Sequence, residues 1–221
     1  MKNKIIKPIV DIILPQRCAL CLCDISAISL CKICESCRAH CNKSPVGPFI
    51  FDAHHTGALF YYELKIKEAL LYTKFHRSYA HARIVRELIR EELPINSHIS
   101  RLKEFAPTAV CYVPTHWLRK SLRGLDMPSM FAHILAKYLR IPLVHALIKT
   151  QLIKPQSSLQ SKSSRLLAVR DLFRLRSPDT RYEKLVLVDD IVTTGATFDE
   201  CLRILSRTSK NIRCLAIAKT P

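Results

Sequence analysis

Apolar residues recur along this chain in two rhythms. From Leu64 to Lys74 and from Ala80 to Leu93 they return at three- and four-residue spacing, which places them on one side of an α-helix. Pro128 to Leu139 repeats that spacing and predicts a buried face of Met130, Phe131, Ile134, Leu135 and Tyr138. Elsewhere the apolar residues form short unbroken runs: Gly57 to Tyr62, Ala109 to Val113, Leu185 to Val188 and Ile212 to Ala218. Runs of this length read as buried strands. Thr197 to Leu205 is a further amphipathic helix. Apolar strands alternating with helices predict a parallel sheet with helices packed on it, an α/β domain.

Neither rhythm reaches the N-terminal part of the chain. Seven of the ten cysteines fall at positions 18, 21, 23, 31, 34, 37 and 41. The turn-rich KSPVG stretch, Lys43 to Gly47, then marks a boundary, so the predicted organisation is a module over residues 1–46 and a main domain over 47–221. The first residues, MKNKIIKPIVDIILPQRC, are lysine- and isoleucine-rich. Lys7, Pro8 and Asp11 interrupt the apolar run, and no small-residue cleavage site follows, which is unlike a signal peptide. An amphipathic segment remains, packed on the body of the protein or resting peripherally on a membrane. No stretch approaches the roughly 18 apolar residues of a membrane span.

Cysteines in CxxC steps suit a metal ion better than disulfides, because two thiolates two residues apart chelate one ion from a tight turn. Such clustering implies a reducing, cytoplasmic compartment. Cys18 and Cys21 form a clear first pair; the second is Cys31 with Cys34 or Cys34 with Cys37. A structural Zn2+ needs four ligands, so some of the seven thiols are spare.

Charge narrows the field of partners. The chain holds 35 Lys and Arg against 18 Asp and Glu, a net charge of +17. Between Arg101 and Tyr182 there are 15 basic residues against four acids, Glu104, Asp126, Asp171 and Asp179. Polyanions, nucleic acid among them, are the partners such a surplus favours.

The most informative segment is Val186 to Thr197 (VLVDDIVTTGAT), in which an apolar strand delivers two carboxylates and then a hydroxyl-rich turn with one glycine before a helix. Free backbone N–H groups at a helix N-terminus hold a phosphate, and Gly195 lets the backbone approach it closely. Thr193, Thr194 and Thr197 add hydroxyl donors, with Ala196 between them. Asp189 and Asp190, at the carboxyl end of the strand, are placed to accept from vicinal ribose hydroxyls, directly or through Mg2+. Neither GxxxxGK[ST] nor GxGxxG occurs, which excludes the usual nucleoside-triphosphate and dinucleotide loops.

This segment resembles the signature of the type I phosphoribosyltransferases. That resemblance implies their fold and assigns Asp189 and Asp190 to the ribose hydroxyls and Thr193 to Thr197 to the 5-phosphate of phosphoribosyl pyrophosphate, bound with Mg2+. Combined with an N-terminal CxxC module it extends over nearly the whole chain to the ComF/GntX family, whose competence members act in DNA uptake during natural transformation. Within that pattern ICESC favours Cys34 and Cys37 as the second metal pair. LLYTKFH places Lys74 at the family's lysine, and VPTHWLRKSLRG places Pro114, Arg119, Arg123 and Gly124 on its pyrophosphate loop. The family's RGFNQ reads Arg123-Gly124-Leu125-Asp126-Met127 here, and Gln156, Leu159, Arg165 and Phe173 fit a downstream stretch.

The resemblance implies a phosphoribosyl-pyrophosphate-binding protein working on single-stranded DNA, with protein partners of helicase or recombination-mediator type. Two alternatives are a housekeeping enzyme moving phosphoribose to a base or amine, and a nucleic-acid-binding adaptor without turnover. No acid or base catalyst is assigned by the sequence, although His116 and Trp117 lie near the pyrophosphate loop.

Overall fold

A computed structural model describes residues 16–25, 33–41, 49–51, 54–76, 78–116, 125–150 and 172–221. Its centre is a five-stranded sheet in the order β3 (Phe49–Phe51), β4 (His54–Tyr61), β9 (Asn211–Lys219), β8 (Lys184–Val192), β5 (Ala109–Tyr112). The four strands from β4 to β5 run parallel, and β3 closes one edge antiparallel.

The apolar runs are unbroken because both faces of the sheet are covered. Along β8, Val186 and Val188 point into one core, and Leu185 and Leu187 into the other. The first core is filled by α2 (Leu64–Phe75), α3 (Tyr79–Glu92), α4 (Ser97–Phe105) and α5 (Met127–Leu139). The second holds α6 (Ala196–Leu205) and a two-stranded antiparallel ribbon of β6 (Leu147–Lys149) and β7 (Phe173–Leu175). Fully enclosed side chains such as Phe131 in one core and Phe198 in the other each contribute roughly 1.5–3 kcal/mol of burial.

The four helices and four strands foreseen from periodicity are present, with shifted ends. α5 buries Met127, Pro128, Phe131, Ala132, Leu135 and Ala136, while Met130, Ile134 and Tyr138 lie at the edge of that core. Helix α4 breaks the expected pattern. It starts at the Asn96 cap, whose side chain accepts from the His98 N–H, and buries only Ile99 and Leu102 as apolar anchors, too few to stand out by period.

The cysteine-rich segment contributes the short pair β1 (Gln16–Arg17) and β2 (Asp24–Ile25) and one turn and a half of helix, α1 (Glu35–Ala39). It packs directly on the sheet domain. Cys18, Leu20, Ile33, Cys37 and Cys41 share one apolar cluster with Ile66, Leu70 and Val85 of α2 and α3. Arg38 pairs with Glu91, and Lys65 Nζ donates to the Leu20 carbonyl. The segment before residue 16 and the 43–47 boundary lie outside the described residues. Among the described residues no helix is long and apolar enough to cross a membrane.

Candidate active site and metal centre

Strand β8 runs four residues past the apolar run, because β9 continues to pair with it as far as Val192 opposite Lys219. On its other side β5 stops pairing at Tyr112, opposite Val188. From Asp189 onward, β8 is therefore bordered by β9 alone, and the side that β5 vacates is a crevice at the carboxyl ends of parallel strands. Ligands of open α/β sheets bind in such crevices.

Beyond Val192 the chain turns through Thr193 and Thr194 into Gly195, which caps α6 in the left-handed region at φ 83° and ψ −10°. Thr194 Oγ1 accepts from the Ala196 N–H at 3.5 Å. The N–H groups of Thr193, Thr194 and Gly195 bond to no acceptor among the described residues. They line a hollow of about 30 Å³ with Asp189 and Thr197. Unsatisfied donors at the start of a ten-residue helix are what a phosphate dianion needs.

The acidic pair folds onto its own backbone: the Asp190 N–H donates to Asp189 Oδ1 at 2.8 Å, and the Ile191 N–H to Asp190 Oδ1 at 2.7 Å. Asp190 Oδ2 lies 2.8 Å from Lys74 Nζ, brought over by the last turn of α2. Desolvation, followed by repulsion from Asp190, pushes the Asp189 carboxyl up to about 8 against the downward pull of Lys74.

A carboxyl raised from its ordinary value near 3.8 to about 8 binds its proton more tightly in the folded than in the unfolded chain. Its contribution is complete below pH ~4 and is lost as pH rises through ~8. Asp189→Asn is therefore expected to leave the thermal midpoint unchanged near pH 4 and to raise it above pH 8, as read by calorimetry across that range.

Of the pyrophosphate-loop candidates, Lys74 lies on the acidic pair, whereas Arg119, Arg123 and Gly124 are outside the described residues, as are Trp117, Gln156, Leu159 and Arg165. His116 is buried. Asp126, the departure from the family's loop, stands at the N-cap of α5 and accepts from the Thr115 hydroxyl at 3.2 Å. Negative charge there is favoured by the helix dipole, which accounts for an acid at that position.

In the N-terminal segment the sulfurs of Cys18, Cys21, Cys23 and Cys34 lie within 4.8 Å of one another. Backbone donors aim at them: Leu20 and Cys34 N–H at Cys18 Sγ (3.5 and 3.3 Å), and Cys37 N–H at Cys34 Sγ (3.3 Å). N–H donors stabilise thiolates, the form that binds metal. The backbone bond from Cys23 lowers Cys21 to about 6, and that from Cys37 lowers Cys34. A soft four-sulfur donor set suits Zn2+.

Cys23, counted as spare from its spacing, joins the cluster with its sulfur 3.2 Å from Cys21 Sγ. Cys37 is buried beside the same sulfurs, its thiol raised by desolvation and by hydrogen bonds with Cys21, Cys34 and Cys18. The cluster therefore offers two thiols, Cys23 and Cys37, for the fourth ligand position, and Cys31 lies outside the described residues. The CxC step at Cys21 and Cys23 was the sequence signal for the former.

A groove of about 800 Å³ on the other face gathers Arg174, Arg181, Arg203 and Arg207 around Phe173 and Ile204. Arg203 is held bidentately by Glu200, both contacts at 2.8 Å, and Arg181 donates to the Pro178 carbonyl. Arg174 and Arg207 pair with no acid among the described residues. Two of the four, Arg203 of α6 and Arg207 just beyond its end, lie outside the basic stretch singled out by composition.

A family model, the phosphoribosyl transferase domain, matches residues 129–221. Competence protein F of Haemophilus influenzae is 28% identical over 104 residues, 46% of this chain, and the match spans 45% of that protein's length. Glutamine phosphoribosylpyrophosphate amidotransferase from B. subtilis aligns with a TM-score of 0.44 at 18% identity, over 67% of this chain and 30% of that one. Adenine phosphoribosyltransferase from Leishmania tarentolae gives 0.39 at 13%, over 80% and 94%. Residues 129–221, which contain most of α5, β8, the acidic pair, its loop and α6, thus match a phosphoribosyl transferase domain, and the chain is similar over about half of its length to a competence protein F.

Proposed function

We propose that the chain binds phosphoribosyl pyrophosphate with Mg2+ at the Asp189 to Thr197 segment and acts as a phosphoribosyltransferase. The observation that carries this reading is the unsatisfied N–H cradle at Gly195, set beside the acidic pair on the open side of β8. The 5-phosphate takes the cradle. Asp189 and Asp190 take the vicinal ribose hydroxyls. Mg2+, a hard cation that takes oxygen ligands, enters with the pyrophosphate and offsets its charge. The cysteine cluster holds structural Zn2+. A calorimetric titration with phosphoribosyl pyrophosphate and Mg2+, followed by assay of pyrophosphate release with base, amine and DNA acceptors, tests the reading. Absence of binding would remove it.

Single-stranded DNA is the second ligand in this reading, within a role in DNA uptake and natural transformation. Its support is the arginine groove, in which guanidiniums suited to phosphate oxygens surround apolar side chains. Exposed Tyr72, Phe75 and Tyr79 at the corner of α2 and α3 add faces on which bases stack. Affinity for an oligodeoxythymidylate is expected to fall with salt, with a log-log slope of about −0.7 per phosphate neutralised. Arg174→Glu with Arg207→Glu should flatten that slope and leave phosphoribosyl pyrophosphate affinity intact. A salt-independent affinity would remove the DNA role and leave the housekeeping-enzyme reading.

A further inference from the structure

Helix α2 touches the cysteine cluster at one end and the acidic pair at the other. Near its start Lys65 Nζ donates to the Leu20 carbonyl at 3.4 Å and pairs with Glu68 at 2.7 Å. Along its length Ile66, Ala69 and Leu70 are fully buried in the cluster that also holds Cys18, Leu20 and Cys37. Thr73, buried, ties its hydroxyl to the Ala69 carbonyl at 2.8 Å, and the His76 N–H closes the last turn on Tyr72 at 3.0 Å. This helix is anchored by the Leu20 contact and by its buried apolar face before it delivers Lys74.

The ion pair it delivers is shielded, with side chains 20% exposed at Lys74 and 15% at Asp190. Among the described residues Lys74 has no other carboxylate in ion-pair contact and Asp190 no other cation. Asp190 has one oxygen committed to the Ile191 N–H and the other to Lys74, so its plane is set from two directions. A shielded charge pair of this kind holds geometry that an exposed one does not.

We propose that Lys74 is a positioning residue that fixes the Asp190 carboxylate in the orientation that receives the ribose, so that α2 sets the ribose subsite from outside the phosphate loop. This rests on the reading of the acidic pair as that subsite. It differs from a place for Lys74 among the pyrophosphate ligands, and the two make opposite predictions for partial ligands.

The test measures calorimetric affinities of the full chain for phosphoribosyl pyrophosphate with Mg2+, for ribose 5-phosphate, and for inorganic pyrophosphate with Mg2+. Lys74→Met, Lys74→Gln and Lys74→Arg are compared with the parent, each checked for an unchanged thermal midpoint. Both neutral variants should lose about tenfold for the first two ligands, with inorganic pyrophosphate unaffected and Lys74→Arg within about threefold of the parent. Unchanged ribose 5-phosphate affinity, or an equal loss for inorganic pyrophosphate, would overturn the proposal. Failure of the parent protein to bind any of the three would instead overturn the site itself.

Discussion

Replacing Gly195 with valine will abolish binding of phosphoribosyl pyrophosphate while the sheet domain still unfolds cooperatively. Two effects act at one atom. At φ 83° a side chain strains the backbone by about 1–3 kcal/mol, and a β-branched one exceeds an ordinary residue in that range. The added methyls also project beside a hollow of only about 30 Å³, where a phosphate must meet bare N–H groups. Because α6 is anchored by Phe198, Cys201, Leu202 and Leu205 in its core, the strain should distort the turn and spare the helix. The double variant Asp189→Asn, Asp190→Asn removes the carboxylate charge that meets the ribose and Mg2+ without touching the turn, and should reach the same loss of binding while the sheet domain still folds. Titration calorimetry and thermal unfolding read both variants; full affinity in either would contradict the assignment.

Removal of metal is expected to have the largest effect on stability. Structural Zn2+ in small fingers contributes roughly 10–16 kcal/mol of apparent binding free energy, all of it coupled to folding. Here the cysteine segment shares its apolar cluster with α2 and α3, so loss of the ion should lower the unfolding midpoint of the sheet domain as well. Elemental analysis should find about one zinc per chain, and a strong chelator should shift the main transition downward. Cys18→Ser, Cys21→Ser and Cys34→Ser should each abolish retention of the metal. Cys23→Ser and Cys37→Ser should differ from each other, and the one that releases zinc identifies the fourth ligand. A fully folded, metal-free protein would refute the site.

The proposed phosphate loop was legible because its chemistry is local. A strand, two carboxylates, a left-handed glycine and a helix start fall within Val186 to Thr197, and each residue type answers a need of its own position. The same holds for α2, α3, α5 and α6, whose apolar periods report burial directly. Helix α4 and the β6–β7 ribbon were not foreseen. The first has few apolar anchors, and the second pairs residues 147–149 with 173–175 across a long intervening segment that no local pattern spans.

By itself the sequence determined the α/β class, the acidic pair with the Gly195 turn before a helix, and a cysteine-rich N-terminal module, since each depends on contiguous residues or short spacings. Only the tertiary structure decided which thiols converge, that the module packs into the same core as α2 and α3, that Arg203 and Arg207 join Arg174 and Arg181 in one groove, and that Lys74 meets Asp190. Those contacts join residues far apart in the chain. They depend on how helices seat against the sheet, which is set by side-chain packing over the whole core.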